Sequence, residues 1–440
     1  MAQLQPYEQY QPIDYDYVKQ LPVDWRLLPN IAIFQERIER GHNNEELLSV
    51  TIGKGVIKQS DLDKKDSSTL DKSKYLLVYP DDLVYSMRFR QGASGYSNYK
   101  GIVSPACTVL KPRKGVTLNS RYYHYMIRTG FYKNYAERYA YGIADGQMPL
   151  RYSDFKRMYS IVPLLDTQNR IVEYLDKKNN EIDRFIRNKE RLIELLEESK
   201  KNAIDVAFTR GVKAGIELKE TDFEWLSNIP NHWNLKRLKF LSKIISKGST
   251  PSTEGREMTS SGIRFVKAEN IFKSKIISEP AFFIDPITHR VLKRSQLKEN
   301  DLLFVIAGAT IGKVAIVTTE HLPANTNQAV SFIRLKNKVD VEFCYYWLHS
   351  KFITTNIWLN AVTSAQPNLA MEDLGNLIIP YPPNDEEKVE IVQHIKYEHS
   401  IIDMAISKAQ QEITSIKEYR EALITDLVTG KRGLPPSIPK

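Results

Sequence analysis

Between Asp166 and Arg210 apolar residues recur at alternating steps of four and three, and the stretch holds neither proline nor glycine. Such spacing lays one apolar stripe along a helix, and Pro163 before it and Gly211 after it supply the stops, so one long helix is expected here. Its stripe reads Ile186, Lys189, Ile193, Leu196, Lys200, Ala203, a short coiled-coil register. Near the C-terminus the same positions read Ile406, Ala409, Ile413, Ile416, Arg420, Leu423, with Arg420 answering Lys200 as a polar interruption. Two helices with one register are expected to pair with each other, the alternative being that each stripe packs on its own domain. About 40 helical residues at 1.5 Å each would make a rod of roughly 60 Å, enough to hold two modules apart. Elsewhere the pattern shortens. Runs at Lys74 to Tyr79, Gly262 to Val266, Leu302 to Ile306, Val314 to Thr318 and Ala329 to Leu335 are broken by Gly, Pro and Asn, and predict short strands. Helices are expected at Arg121 to Tyr139 and Val341 to Asn360, so sheet precedes helix in both regions and the two modules are expected to share one mixed α/β fold.

The framing segments repeat. Pro22-Val23-Asp24-Trp25 returns as Pro230-Asn231-His232-Trp233, and Gln147-Met148-Pro149-Leu150 with Asp154 returns as Gln366-Pro367-Asn368-Leu369 with Asp373. Ile171-Val172-Glu173-Tyr174-Leu175 is echoed by Ile391-Val392-Gln393-His394-Ile395, and Ile182-Asp183 and Thr209 by Ile402-Asp403 and Thr429, at one constant offset. Residues 26 to 146 and 234 to 365 share little, so two unlike modules stand on two copies of one frame, an arrangement that suits reading something bipartite. Lys213 to Pro230 connects the halves, and Leu434 to Lys440, with three prolines, is expected to fray.

Charge adds a partner. The chain of 440 residues carries a formal net charge of +9, which favours a polyanion. Leu83 to Ala144 holds ten basic residues against one acid, Glu137, interleaved with twelve aromatics that include Tyr85, Phe89, Tyr96, Tyr99, Tyr122, Tyr123 and Tyr125. That mixture contacts phosphates and stacks on bases, although tyrosines serve a core equally well. Cys107 and Cys344 stand alone without a CxxC, so neither a disulfide framework nor a thiolate zinc site is supported, and a reducing cytoplasm fits. The polar segment Met1 to Tyr10 lacks a signal pattern and no apolar run approaches a membrane span.

Signatures of chemistry fail when tested. Gly308-Ala309-Thr310-Ile311-Gly312-Lys313-Val314 has three residues between its glycines where a Walker loop needs four, and Val314 where the loop needs Ser or Thr, so a glycine turn between two strands is expected. Tyr381-Pro382-Pro383-Asn384 holds the letters of the Asn-Pro-Pro-Tyr methyltransferase signature in reverse, from which no adenine clamp follows. No glycine-rich dinucleotide loop, GxSxG elbow or two-histidine metal face is present, so no catalytic, cofactor or metal site is expected and the chain reads as a binder.

The arrangement resembles the specificity (S) subunit of type I restriction-modification systems over nearly the whole chain. Tyr85 to Gly92 with Gly101 to Ala106 looks like a first recognition sequence, and Lys247 to Ser252, Gly308 to Lys313 and Asn325 to Gln328 look like a second. The module tails, Gln147 to Asp154 with Val162-Pro163 and Gln366 to Asp373 with Ile379-Pro380, match the family's most recurrent feature. One departure is visible: the Glu-Gln pair that usually opens each helix reads Thr167-Gln168 and Glu386-Glu387.

The resemblance implies an α+β protein with two mixed α/β target-recognition domains joined by two long helices paired as an antiparallel coiled coil, a pseudo-two-fold internal repeat. Residues 1–162 would form the first recognition domain, 163–212 the first helical spacer, 213–380 the linker and second recognition domain, and 381–440 the second spacer and tail. It implies a non-catalytic DNA-binding subunit that reads a bipartite double-stranded site while the helices set its spacing. Two modification subunits would bring S-adenosylmethionine and methylate an adenine in each half-site, and restriction subunits would translocate and cut. Expected DNA contacts are Arg88, Arg90, Gln91, Tyr96, Tyr99 and Lys100 in the first module, and Lys247, Ser249, Thr250, Lys267, Asn270, Asn325 and Asn327 in the second. Rival readings are a single-chain DNA-modifying enzyme with an unrecognised active site and a helical scaffold that binds protein.

Overall fold

The computed structural model of the chain describes residues 4–62, 71–139, 150–355 and 368–435. Gln147-Met148-Pro149, Gln366-Pro367, residues 356–360 of the expected second helix and residues 436–440 of the tail lie outside these. Two helices dominate, Leu165–Arg210 and Asp385–Val428, as the uninterrupted stripe of apolar residues requires. Packing divides the chain into two units, Met1–Lys189 with Gln411–Lys440, and Glu190–Gln410, so each long helix gives one part to each unit.

Within each unit the helices run antiparallel. In the first, Asp183 pairs with Arg420 and Lys189 with Glu412. In the second, Lys200 meets Asp403 at 2.8 Å and its carbonyl lies 3.0 Å from His399 Nε2. The stripe read from the sequence is the buried seam: Ile406, Ala409 and Leu423 are buried and its other members half-buried, while nearly all flanking positions are exposed. Mutual pairing is therefore the outcome, and the α+β fold with antiparallel paired helices stands.

The two modules share a strand order that their sequences hide. In the first unit Phe34–Glu36, Thr108–Pro112, Leu83–Tyr85 and Ser94–Tyr96 form a four-stranded sheet in that order, antiparallel throughout. In the second, Ser242–Lys247, Val330–Leu335, Leu302–Val305 and Val314–Ile316 repeat it. Each module is tied to its frame by one more pair, Arg26–Pro29 with Tyr159–Val162 and Asn234–Arg237 with Ile378–Tyr381. The helix expected at Arg121 to Tyr139 is two, Ser120–Arg128 and Gly130–Ala136. Thr129 leaves helical geometry and its hydroxyl accepts the Tyr132 N–H at 3.1 Å, which caps a fresh start.

Most of the first module's aromatics are core, which corrects part of the surface reading. Tyr85, Phe89, Tyr122 and Tyr123 are buried, together with Tyr132 and Phe155. That core also takes Ile171 and Leu175 from the start of the first long helix, and Leu423, Leu427 and Val428 from the end of the second. In the second unit the roles reverse: Ile391 and Ile395 open its own helix, and Ile204, Ala207 and Phe208 arrive from the end of the first.

The repeated Pro-x-x-Trp motif seals each junction. The Trp25 N–H donates to Pro22 O and the Trp233 N–H to Pro230 O, both at 2.9 Å, so each motif is a tight turn that buries its indole. The glycines that end the long helices, Gly430 and Gly211, lie at φ +70° and +68°. A Cβ on Gly430 would stand 2.7 Å from Pro22, and one on Gly211 2.8 Å from Ile216 and 3.6 Å from Pro230.

The His124 ring packs edge-on against Tyr96 and Tyr125, with centroids 5.3 and 5.5 Å away. Its Nδ1 lies 3.3 Å from the Tyr96 N–H and accepts it, which needs the neutral ring. Burial first, and then the charges of Arg128 and Arg121, push its pKa down to about 3.

Two outcomes are expected. Phe208 is fully buried, with ring centroids 4.8 and 5.1 Å from Phe343 and Trp347. Phe208→Ala should cost about 3–5 kcal/mol in denaturant unfolding, and a loss below about 1 kcal/mol would contradict this packing. For His124 the unfolded chain takes up a proton below about 6.5 that the folded ring refuses, so stability falls as pH drops from there toward 3, by at most about 1.4 kcal/mol per pH unit. Unfolding followed from pH 7 to pH 4 should show a shallower fall in His124→Gln, and equal slopes would remove His124 as the cause.

Candidate nucleic-acid interface

In the first unit the turn Phe89–Gln91 lies between the strands Leu83–Tyr85 and Ser94–Tyr96. Phe89 points inward onto Tyr85, at 5.3 Å between rings, while Arg88, Arg90 and Gln91 point out. One buried ring thus holds three exposed polar side chains on a fixed backbone, and Gly92 closes the turn at φ +95°. Arg90 forms an ion pair with Glu137 at 2.5 Å.

Arg128 braces this turn, a role its place among the basic residues did not reveal. Its guanidinium donates to Gly92 O and Ser94 O on one side, and to Ile52 O and Gly53 O at the tip of the hairpin Leu48–Thr51/Gly55–Lys58 on the other. The remaining candidates of this module stand apart from the turn. Tyr96 is half-buried beside His124, with the Arg121 guanidinium 5.5 Å from its ring. Tyr99 is half-buried against the apolar cluster of Val50 and Val103, with Lys58 5.7 Å from its ring, and Lys100 pairs with Glu45.

In the second unit four segments converge. Strand Ile263–Val266 runs parallel to Ala324–Thr326, with Val266 opposite Thr326, so Lys267 and Asn327 leave the sheet at the same end. There the Ser249 N–H donates to Thr326 O at 3.1 Å, and the Thr250 hydroxyl bonds the Gln328 side chain. Gly248 permits this approach, since a Cβ on it would stand 2.0 Å from Thr326 O. Lys247 is exposed at the end of its strand, and the Lys267 ammonium sits 3.5 Å from the Phe282 ring centroid. The Asn327 side-chain oxygen is buried with no hydrogen-bond partner among the described residues.

Asn270 and Asn325 need correcting as contacts. Both are fully buried. The Asn270 side chain accepts the Lys267 N–H at 3.0 Å and donates to Pro280 O at 2.8 Å. The Asn325 amide donates to Leu292 O at 3.0 Å and Ser295 Oγ at 2.8 Å, while its oxygen faces His289 Nδ1 at 2.5 Å. Their polar atoms are spent on shaping the loops, and none is left for a base edge.

The Gly308 to Lys313 stretch is the glycine turn expected between two strands, with Gly308 and Gly312 at φ +89° and +87°. It occupies the place that the Arg88–Gln91 turn holds in the first module, and Ile311 is its buried anchor. Lys313 and Lys273 flank the exposed ring of Phe272, at 5.8 and 5.6 Å. Beside it lies a cleft of about 520 Å³ that includes Lys200, Lys201, Lys273, Lys275 and Lys396 in its lining. Among the described residues no group of His, Cys, Asp or Glu is placed to hold a metal, and no helix is long and apolar enough to cross a membrane.

Known proteins share this geometry. Residues 230–415 match the family model described as the type I restriction modification DNA specificity domain. The chain is similar to the type I restriction enzyme MjaVIII specificity subunit of Methanocaldococcus jannaschii, 23% identical over 82% of this chain and 81% of that one. The putative MjaX specificity subunit of the same organism is 24% identical over 83% and 82%. Among solved structures, a chain described under complex assembly and conformational transition of the type I R-M system superposes with a TM-score of 0.68 at 14% identity, covering 93% of this chain and 99% of that one. The HsdS subunit from Thermoanaerobacter tengcongensis gives 0.53 at 15% identity, covering 96% and 99%, and both likenesses are of fold. Duplicated frame, twin modules and these relatives agree: residues 230–415 carry the type I restriction modification DNA specificity domain, and the chain is similar to type I specificity subunits over about four-fifths of its length.

Proposed function

We propose that the chain is the DNA-reading subunit of a type I restriction-modification complex, binding double-stranded DNA at a site split in two, with one half-site for each module. It is non-catalytic. In this reading two modification subunits dock on it, bring S-adenosylmethionine and methylate one adenine in each half-site, swung out of the duplex to be reached. Restriction subunits join to translocate and cut. We place the assembly in the cytoplasm, which suits two unbridged cysteines.

The observation that carries this reading is the convergence of Lys247, Ser249, Thr250, Lys267 and Asn327 at one strand end, matched in the first module by Arg88, Arg90 and Gln91 on one anchored turn. Cations supply affinity through phosphates, and the Gln, Asn, Ser and Thr groups, with Arg, supply choice at base edges. Tyr96, Tyr99 and Lys100 stand behind the turn as secondary contacts. Asn270 and Asn325 act from inside by holding the loops that present the others.

Two measurements test the proposal. In the complex assembled with modification subunits, Arg88→Gln with Arg90→Gln should weaken binding and reduce the slope of log K against log salt by about one for each phosphate that is no longer neutralised. An unchanged slope would take the turn out of the interface. Mapping N6-methyladenine across the genome of cells with and without the chain should reveal a split motif that vanishes with it. Survival of every motif in cells that still make active modification subunits would overturn the assignment.

A further inference from the structure

The apolar residues of the frame cannot tell the two modules apart. Ile171, Val172 and Leu175 at the start of the first long helix are matched by Ile391, Val392 and Ile395 at the start of the second, and all six are buried. Either helix start therefore offers nearly the same apolar seat.

The polar contacts around that seat differ. In the first unit Asn119 caps the helix Ser120–Arg128. Its backbone N–H donates to Gln168 Oε1 at 2.9 Å and its side-chain amide to Asn169 Oδ1 at 2.8 Å. Gln168 is buried, and its own amide donates to Pro163 O. Two residues beyond Asn119, Arg121 pairs with Asp176 at 2.6 Å. In the second unit Lys388 takes the place of Gln168, and Asp340 faces it as Asn119 faces Gln168: the buried positions of Ser120–Arg128 align with 341–349, although Asp340 lies inside the helix Val339–Leu348 and not at its cap. They meet at 2.6 Å with side chains 1% exposed. Tyr381 donates its hydroxyl hydrogen to Asp340, and Lys388 also reaches Asp385 at 2.7 Å. Two residues beyond Asp340, Glu342 pairs with Lys396 at 2.5 Å.

Both contacts thus change character between copies. A neutral amide contact becomes a buried ion pair, and a base on the module facing an acid on the frame becomes an acid facing a base. Seating the first module on the second helix would leave Lys388 without Asp340 and set Arg121 against Lys396. Seating the second module on the first helix would bury Asp340 against Gln168 and set Glu342 against Asp176. Lys388 would keep Asp385 but lose its buried acid, and Asp340 would be buried against a neutral amide; a buried charge that loses its partner is strongly destabilising, and the like-charge contact adds a smaller penalty.

We infer that Asn119/Gln168 with Arg121/Asp176, and Asp340/Lys388 with Glu342/Lys396, form a two-position charge code that seats each recognition module on its own long helix. It rejects the other helix, whether that helix belongs to the same chain or to a second copy. The polar code thereby assigns the modules to their places on a frame whose apolar residues are interchangeable.

The full-length chain tests this by thermal unfolding. Asp340→Asn with Glu342→Arg sets the first module's residues against the second long helix, and Tm should fall by roughly 10 °C. Lys388→Gln with Lys396→Asp alone should fall similarly. All four substitutions together install the complete first code at the second position, and should regain more than half of either loss. An undiminished Tm in the mismatched variants, or a fourfold variant that loses the sum of both, would overturn the code. Should the mismatched variants fail to fold, the outer pair decides alone. Glu342→Arg and Lys396→Asp should each lower Tm by about 1–3 °C, and their combination should restore it. Additive losses there would be equally fatal to the inference.

Discussion

Neither unit of this protein closes its core with residues from one copy of the repeat. The first unit needs Leu423, Leu427 and Val428 from the end of the second helix, and the second needs Ile204, Ala207 and Phe208 from the end of the first. Each long helix therefore starts under one module and finishes in the core of the other unit. Most of the helices' stability must come from these buried ends, because the seam between them is only half-buried along much of its length. The glycines that stop the helices follow from the same requirement: a left-handed residue turns the chain out of the helix, and its bare Cα lets the Pro-x-x-Trp turn or its neighbour close in.

The repeat also explains the direction of pairing. Asp183 and Asp403 are equivalent positions, as are Lys200 and Arg420. A parallel pairing in register would set equivalent residues side by side, acid on acid and base on base. The antiparallel arrangement instead gives Asp183 to Arg420 and Lys200 to Asp403. Partly exposed pairs of this kind contribute about 0–1 kcal/mol each, so their importance lies in excluding the other orientation.

Periodic features are the ones legible in the sequence. The 3.6-residue rhythm of Ile186 to Ala203 survives tertiary packing because one stripe faces one partner for its whole length, and the constant offset identifies the second copy. The break at Thr129 is hidden because Tyr, Phe and Ala continue the rhythm on both sides of it, and only the hydroxyl bond to Tyr132 distinguishes two helices from one. At the turn after Leu83–Tyr85, exposed Arg88 and buried Phe89 alternate as neighbours should on an anchored turn. By contrast Asn270 and Asn325 look the same in sequence whether their amides face in or out, and only the carbonyls of Pro280 and Leu292 decide it. Arg128 is silent in the sequence for the same reason, since the four carbonyls it joins come from residues far from it in the chain.

The shared strand order of two unlike modules points to a division of labour that the residues make physical. Backbone position in each of the two equivalent turns is set by one buried apolar anchor, Phe89 or Ile311, and by glycines at left-handed angles. Side chains around the anchor are exposed and carry little of the fold, so exchanging them changes chemistry with small cost in stability. On the proposed reading, a turn already held in place before DNA arrives also loses less conformational entropy on binding than a loose loop would. Fully buried polar residues have the opposite character: changing Asn325 strands the groups of His289, Leu292 and Ser295 that it joins. On the same proposed reading, variation in what is read falls on a few outward positions, while the buried anchors and the frame stay constant.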